Sequence, residues 1–160
     1  MPEPLRAISV LAAGTWPANT EVASVTLGWD DRHRRRIRLS LDDGRGEFLL
    51  DLKHPARLNE GDGLALEDGR IIRVIAGPEP LLEITAGSCG LPRLAYHLGN
   101  RHLPVQVLGD TLLVRQDHVI EEMVTLLGAG CAKVERAFCP EPGAYGGGLS
   151  HDHGHDDPHR

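Results

Sequence analysis

Aromatic residues are scarce, at 4 % of 160 residues. Any core must therefore be aliphatic, built from Leu, Val, Ile and Ala, and a total hydrophobic fraction of 41 % is enough to build one. Cysteine is nearly absent as a framework residue. Cys89, Cys131 and Cys139 are odd in number and show no Cys-x-x-Cys spacing, so no disulfide scaffold is expected and a reducing cytoplasm suits them. Each reads as a small buried hydrophobe. Long apolar runs are missing too, and nothing approaches the ~20 residues that span a bilayer. Residues 7–14, after Arg6, resemble a short signal sequence, but the stretch is brief, follows Glu3 and is interrupted by Ser9. A first strand ending at Gly14 is the expectation. Positive charge is in deficit: the net charge is −6, which argues against nucleic acid as the main partner and is compatible with attracting metal cations. There is no Gly-x-x-x-x-Gly-Lys-Ser/Thr, no His-Glu-x-x-His and no nucleophile elbow, so turnover chemistry is not expected.

Against these absences stands a clear change of pattern along the chain. Residues 1–79 read as β. Residues 21–27 and 36–41 alternate with period two, residues 48–52, 64–66 and 70–75 continue the series, and Asp-Gly turn signals separate them. Short strands at this spacing predict a small antiparallel sandwich or barrel. Gly77-Pro78-Glu79-Pro80 reads as a domain linker. Beyond it, residues 81–85 form a short apolar strand. Leu91, Leu94, Ala95 and Leu98 then recur at helical spacing, with Gly99-Asn100 as the stop signal. Residues 105–108 and 112–114 flank the turn candidate Gly109-Asp110. Ile120, Met123, Val124 and Leu127 mark a second helix with Asp117 as its N-cap and Gly128 as its end. Residues 131–138 supply a last strand. The order β-α-β-β-α-β over residues 80–145 predicts a ferredoxin-like domain, so the fold class is α+β. Residues 146–160 carry one large apolar residue, Leu149, too little to build a core, and read as a mobile His-rich tail.

Nine histidines are present, and their distribution carries the functional signal. His151, His153, His155 and His159 crowd the last ten residues with Asp between them, a composition that reads as metal binding. In an extended chain His151, His153 and His155 present their rings on one side. A purification-tag remnant and a merely solvated polar tail are the competing readings. His118 follows the cap residue Asp117, whose carboxylate either orients the ring, adds an oxygen ligand or is consumed in capping. From spacing alone an ordinary capped helix start with a surface histidine is favoured. His102 lies in the loop after the first helix, where a lone histidine is more often structural or simply exposed. His97 sits one residue from the apolar stripe as a boundary residue. His33 belongs to the charged run 30–36, and His54 to a surface loop.

Several stretches, taken together, resemble the urease accessory protein UreE family of nickel metallochaperones. They are Ala95-Tyr96-His97-Leu98-Gly99-Asn100-Arg101-His102, then Pro104-Val105-Gln106, Asp117-His118-Val119 and Phe138-Cys139-Pro140-Glu141-Pro142-Gly143-Ala144-Tyr145. In the first half Trp29-Asp30-Asp31-Arg32, Arg36-Ile37-Arg38-Leu39 and Leu58-Asn59-Glu60-Gly61-Asp62 also match. The resemblance implies an N-terminal peptide-binding-like β domain, a metal-binding second domain and a homodimer formed through that second domain. It implies that His102 of each subunit shares one Ni²⁺, that His118 belongs to a peripheral site with His97 nearby, and that the tail histidines add ligands. It also implies the GTPase UreG and the UreD/UreF complex with urease apoprotein as partners. One departure stands out: Gln116 occupies a position where some members carry a further histidine.

Nickel delivery during urease maturation is thus the first reading. A general Ni²⁺ or Zn²⁺ buffer, and a peptide-binding interaction module without metal, are the alternatives. The residues themselves do not rank Ni²⁺ above Zn²⁺ or Cu²⁺, and the intrinsic affinity order favours Cu²⁺. Nickel comes from the resemblance.

Overall fold

The structure, a computed structural model, describes residues 3–142. The tail histidines His151, His153, His155 and His159 lie outside the described residues. Two domains are present, both mostly strand, and the second carries two helices, which is an α+β architecture.

The first sheet is built from β1 (Leu5–Leu11), β2 (Glu21–Leu27), β3 (His33–Ser40), β4 (Glu47–Arg57), β5 (Gly63–Leu66) and β6 (Ile71–Ala76), in the order β2-β6-β5-β1-β4-β3. Alternation places Val25, Leu39, Phe48, Leu50, Leu64, Ile72 and Val74 in one core, as the period-two pattern requires. The sheet is not purely antiparallel, contrary to the expectation from the turn signals. β1 pairs with β4 in parallel, as β2 does with β6. The alternation of a strand fixes which face is buried and carries no information about the direction of its neighbour. The two outer strands approach each other at one corner. There the Asp42 N–H donates to the Ser24 carbonyl (3.0 Å), and its carboxylate accepts from Thr26 N–H (2.9 Å) and from the Ser24 and Thr26 hydroxyls (2.8 Å each).

The second sheet holds β7 (Pro78–Thr85), β8 (Gln106–Leu108), β9 (Thr111–Arg115) and β10 (Gly130–Ala137), in the order β10-β7-β9-β8 with every neighbour antiparallel. Helices α1 (Leu91–Asn100) and α2 (His118–Leu126) connect β7 to β8 and β9 to β10. One face of the sheet, through Leu82, Ile84, Leu112 and Val114, packs on Leu94 and Leu98 of α1 and Ile120 and Val124 of α2. The opposite face, through Leu81 and Leu113, is covered by Phe138 with Trp29 beside it. Both phenylalanines of the chain, Phe48 and Phe138, are fully buried, one in each domain's interior.

The Gly77-Pro78-Glu79-Pro80 segment is not a free linker. Pro78 already pairs with Ala137, and only Gly77 separates β6 from β7. The prolines are tolerated because the β9 ladder ends at Leu81, so no strand pairing on that side needs an N–H from Pro78 or Pro80. There the Pro80 carbonyl accepts from the Gln116 N–H at 3.3 Å.

Candidate functional site

Helix α1 is amphipathic: Leu94 and Leu98 are buried while Tyr96 is 66 % exposed. Its end differs from the sequence expectation. Gly99 and Asn100 are both helical, and the chain turns out only afterwards, with Arg101 N–H donating to the Leu98 carbonyl (3.2 Å) and His102 N–H to the Gly99 carbonyl (3.1 Å). His102 occupies the left-handed position, at φ +58°, the sole non-glycine with positive φ among the described residues. Glycine is the usual occupant of such a helix stop. Here an imidazole stands in it, exposed to solvent.

The loop after His102 fixes the start of the C-terminal segment. Beyond β10 the chain runs beneath the sheet, where Phe138 is buried against Leu81 and Leu113, and emerges at the opposite edge strand, β8. Cys139 N–H donates to Gln106 Oε1 (2.9 Å), and Glu141 N–H donates to the Val105 carbonyl (2.8 Å). The chain therefore leaves the described residues at Pro142 beside a backbone position three residues from His102.

His118 opens α2 and is exposed. Asp117 is a true N-cap: its Oδ1 accepts from the N–H groups of Val119 (2.8 Å) and Ile120 (3.2 Å). Capping thus engages the carboxylate that the sequence left open as a ligand. His118 lines a groove with Gln116, Asp117, Glu121 and Lys133. His97 is half-buried, its ring edge-on to Tyr96 with centroids 5.4 Å apart. It borders an open cleft of about 480 Å³ shared with Asn100, Arg101, Val119, Glu122 and Leu126. Glu122 also lines a groove with His118, so the two depressions share this carboxylate.

These three histidines are not brought together within one chain. Among the described residues no group of three His, Cys, Asp or Glu side chains is placed to hold a metal ion. All three cysteines are free, Cys89 and Cys131 half-buried and Cys139 exposed. Burial, reinforced by the negative charge of Glu121, pushes the Cys131 thiol up, which makes its thiolate harder to form. Sequence reasoning missed the surface around the histidines. Leu126 is 88 % exposed, with Val119 at 47 %, and both line the His97 cleft. The signal is present in the sequence: both are apolar and fall off the buried stripe of α2. Among the described residues no helix is long and apolar enough to cross a membrane.

Fold and surface together define a two-domain α+β protein that displays imidazoles on the helical side of its second sheet and does not enclose them. Comparison with known families agrees. The N-terminal domain of the UreE urease accessory protein matches residues 3–77, and the C-terminal domain of the same family matches residues 79–160. Urease accessory protein UreE of Bradyrhizobium sp. (strain ORS 278) is 52 % identical over 151 residues, covering 94 % of this chain and 70 % of that protein. Its counterpart in Rhodobacter capsulatus is 46 % identical over 151 residues and covers 93 % of each. The chain belongs to the UreE urease accessory protein family.

Proposed function

We propose that the protein is a nickel metallochaperone for urease maturation. In this reading two copies form a homodimer through the second domain, in the cytoplasm. One His102 from each subunit then shares a Ni²⁺ ion near the two-fold axis. Histidines of the tail, among them His151, His153 and His155, complete the shell. The ion passes by ligand exchange, with the GTPase UreG, to the UreD/UreF complex with urease apoprotein. His118 and His97 belong to a second, weaker site, for which Gln116 supplies no imidazole. Zn²⁺ and Cu²⁺ compete for the same ligands. The β10-β7-β9-β8 order supports the ferredoxin-like reading of the second domain, which begins with β7 at Pro78, two residues before the expected boundary.

The observation that carries this reading is the placement of His102. An exposed imidazole holds a backbone position that glycine would fill at lower cost, and the chain leading to the tail histidines departs from the adjacent loop. A single exposed ring holds an ion poorly, whereas a two-fold axis doubles every ligand near it. Exposed Leu126 and Val119 offer apolar area for a second copy to cover. The test is calorimetric titration of Ni²⁺ into the full chain, the His102→Ala variant and a chain ending at Tyr145. Expected are about one tightly bound ion per dimer, as symmetry dictates, and weaker ions lost with the tail. A tight phase left intact by His102→Ala would falsify this assignment.

A further inference from the structure

Cys139 is not the small buried hydrophobe that its residue type predicts. It is exposed, and its sulfur faces a buried positive charge. Arg32 belongs to the short turn Asp30–Arg32 of the first domain, yet it is only 1 % exposed. Its Nη2 donates to the Phe138 carbonyl. Its Nη1 lies 4.0 Å from Cys139 Sγ and has no other acceptor among the described residues. Its Nε is buried with no partner among them. The guanidinium carbon stands 5.5 Å from the centre of the Trp29 ring, and a second cation, Arg57, lies over the same ring at 3.6 Å.

No carboxylate answers this charge. Asp30 pairs with Arg115 (2.8 Å), Asp31 pairs with Arg34 (2.9 Å), and Glu79 accepts the Trp29 N–H (2.8 Å). Burying a guanidinium without an anion is costly, and one carbonyl does not offset it. Among the described residues, the group in contact with Arg32 that can become negative is the Cys139 sulfur. As a thiolate it gives the guanidinium a counter-ion, and a guanidinium beside a sulfur favours the thiolate in turn. The other two cysteines lack this setting. Cys89 and Cys131 are half-buried against the core between the sheet and the helices, and the Cys131 thiol is pushed up by burial and by Glu121.

We infer that Cys139 is a thiol–disulfide exchange site, activated by Arg32 and open to small disulfides. The backbone holds the sulfur in place, since Cys139 N–H donates to Gln106 Oε1 (2.9 Å). The Cys139 thiolate attacks one sulfur of a small disulfide, R–S–S–R. A Cys139 Sγ–S–R bond forms, the original S–S bond breaks, and the released R–S⁻ takes a proton from water. Cys139 is oxidised to a mixed disulfide while half of the small disulfide is reduced to thiol. Excess R–SH reverses the step. The same guanidinium repels cations, so it disfavours a metal ion at this sulfur.

The experiment mixes the full, reduced chain, without added metal, with oxidised glutathione at neutral pH. The adduct on each cysteine is followed by mass spectrometry of quenched, digested samples, for the parent and for Arg32→Gln. A tenfold gain in thiolate is offset about threefold by the weaker nucleophilicity of the stabilised sulfur, which leaves a net gain of about threefold. Cys139 should therefore carry the first adduct, and Arg32→Gln should form it about threefold more slowly. The parent in urea keeps the test decisive if that variant does not fold. There Cys139 should react about threefold more slowly than in the native protein, whereas Cys131, freed from burial, should react faster. A first adduct on Cys89 or Cys131, a Cys139 rate no higher in the native protein than in urea, or an unchanged rate in folded Arg32→Gln overturns the assignment.

Discussion

Replacing His102 with glycine should make the protein more stable and less able to hold metal. The ring sits on a backbone with φ at +58°. For an L residue that region costs roughly 1–2 kcal/mol. Glycine removes this cost, but its unfolded chain is freer by about 0.5–1 kcal/mol, which works against the folded state. The difference favours His102→Gly by about 0.5–1 kcal/mol, or about 1–4 °C in melting temperature for a chain of this length. His102→Ala keeps the left-handed backbone with a Cβ and loses only an exposed ring, so its melting temperature should lie close to the parent's. Thermal unfolding of all three proteins without metal measures the first effect. Nickel titration of the same samples measures the second, where both variants should lose the tight phase. If His102→Gly melts lower than the parent, or no higher than His102→Ala, the imidazole is not held at a conformational cost. The inference from that cost to function then fails.

Two further outcomes test the frame around the site. Asp117→Ala leaves the Val119 and Ile120 N–H groups without their shared acceptor and should cost about 1 kcal/mol; an unchanged melting temperature would show that water replaces the cap. Asp42 is the second case. Burial raises its pKa, but hydrogen bonds from Ser24 and Thr26 and the charge of Arg73 outweigh that and hold the carboxyl below its ordinary value. A depressed folded-state pKa contributes stability that is complete above the ordinary value of about 4 and is lost as pH falls through the lower folded value. Asp42→Asn should therefore flatten the fall of stability with pH on the acid side, read by urea unfolding at a series of pH values below about 4. An unchanged slope there removes Asp42 from the corner where the outer strands meet.

Legibility in the sequence tracks the physics of each element. Strand β2 covers the span its alternation predicts, with one face passing from half-buried Glu21 and Ala23 to buried Val25 and Leu27. Helix α2 is readable from Asp117 and from the spacing of Ile120, Met123, Val124 and Leu127. Strand β4 runs past its alternating part, since the extension through Lys53, His54 and Pro55 to Arg57 is exposed until its last two residues and breaks register opposite Arg34 and Arg36. The end of α1 is misleading in sequence because two good stop residues, Gly99 and Asn100, precede a position filled by a histidine. Residues 138–141 have no periodicity to betray their path, and the burial of Phe138 depends on Trp29 and Arg32, more than 100 residues earlier. Among the site residues, His97 and His118 can be placed on their elements from spacing. The backbone strain at His102 cannot be seen without coordinates.

The separation of the histidines bears directly on how an ion would be released. A centre with all its ligands on rigid elements of one chain would be preorganised and slow to give up its ion. Here His97, His102 and His118 lie on three different segments, and the described residues hold no enclosed site. If the ion is shared between two copies of His102, binding metal and forming the dimer are linked, and each strengthens the other by the same factor. A partner that offers one better imidazole or thiolate then competes with a single ligand at a time. Stepwise exchange of this kind needs ligands that are exposed and tethered close by. The left-handed turn that lifts His102 into solvent supplies the first condition, and the bond from Glu141 N–H to the Val105 carbonyl brings the last described residues close to the same loop.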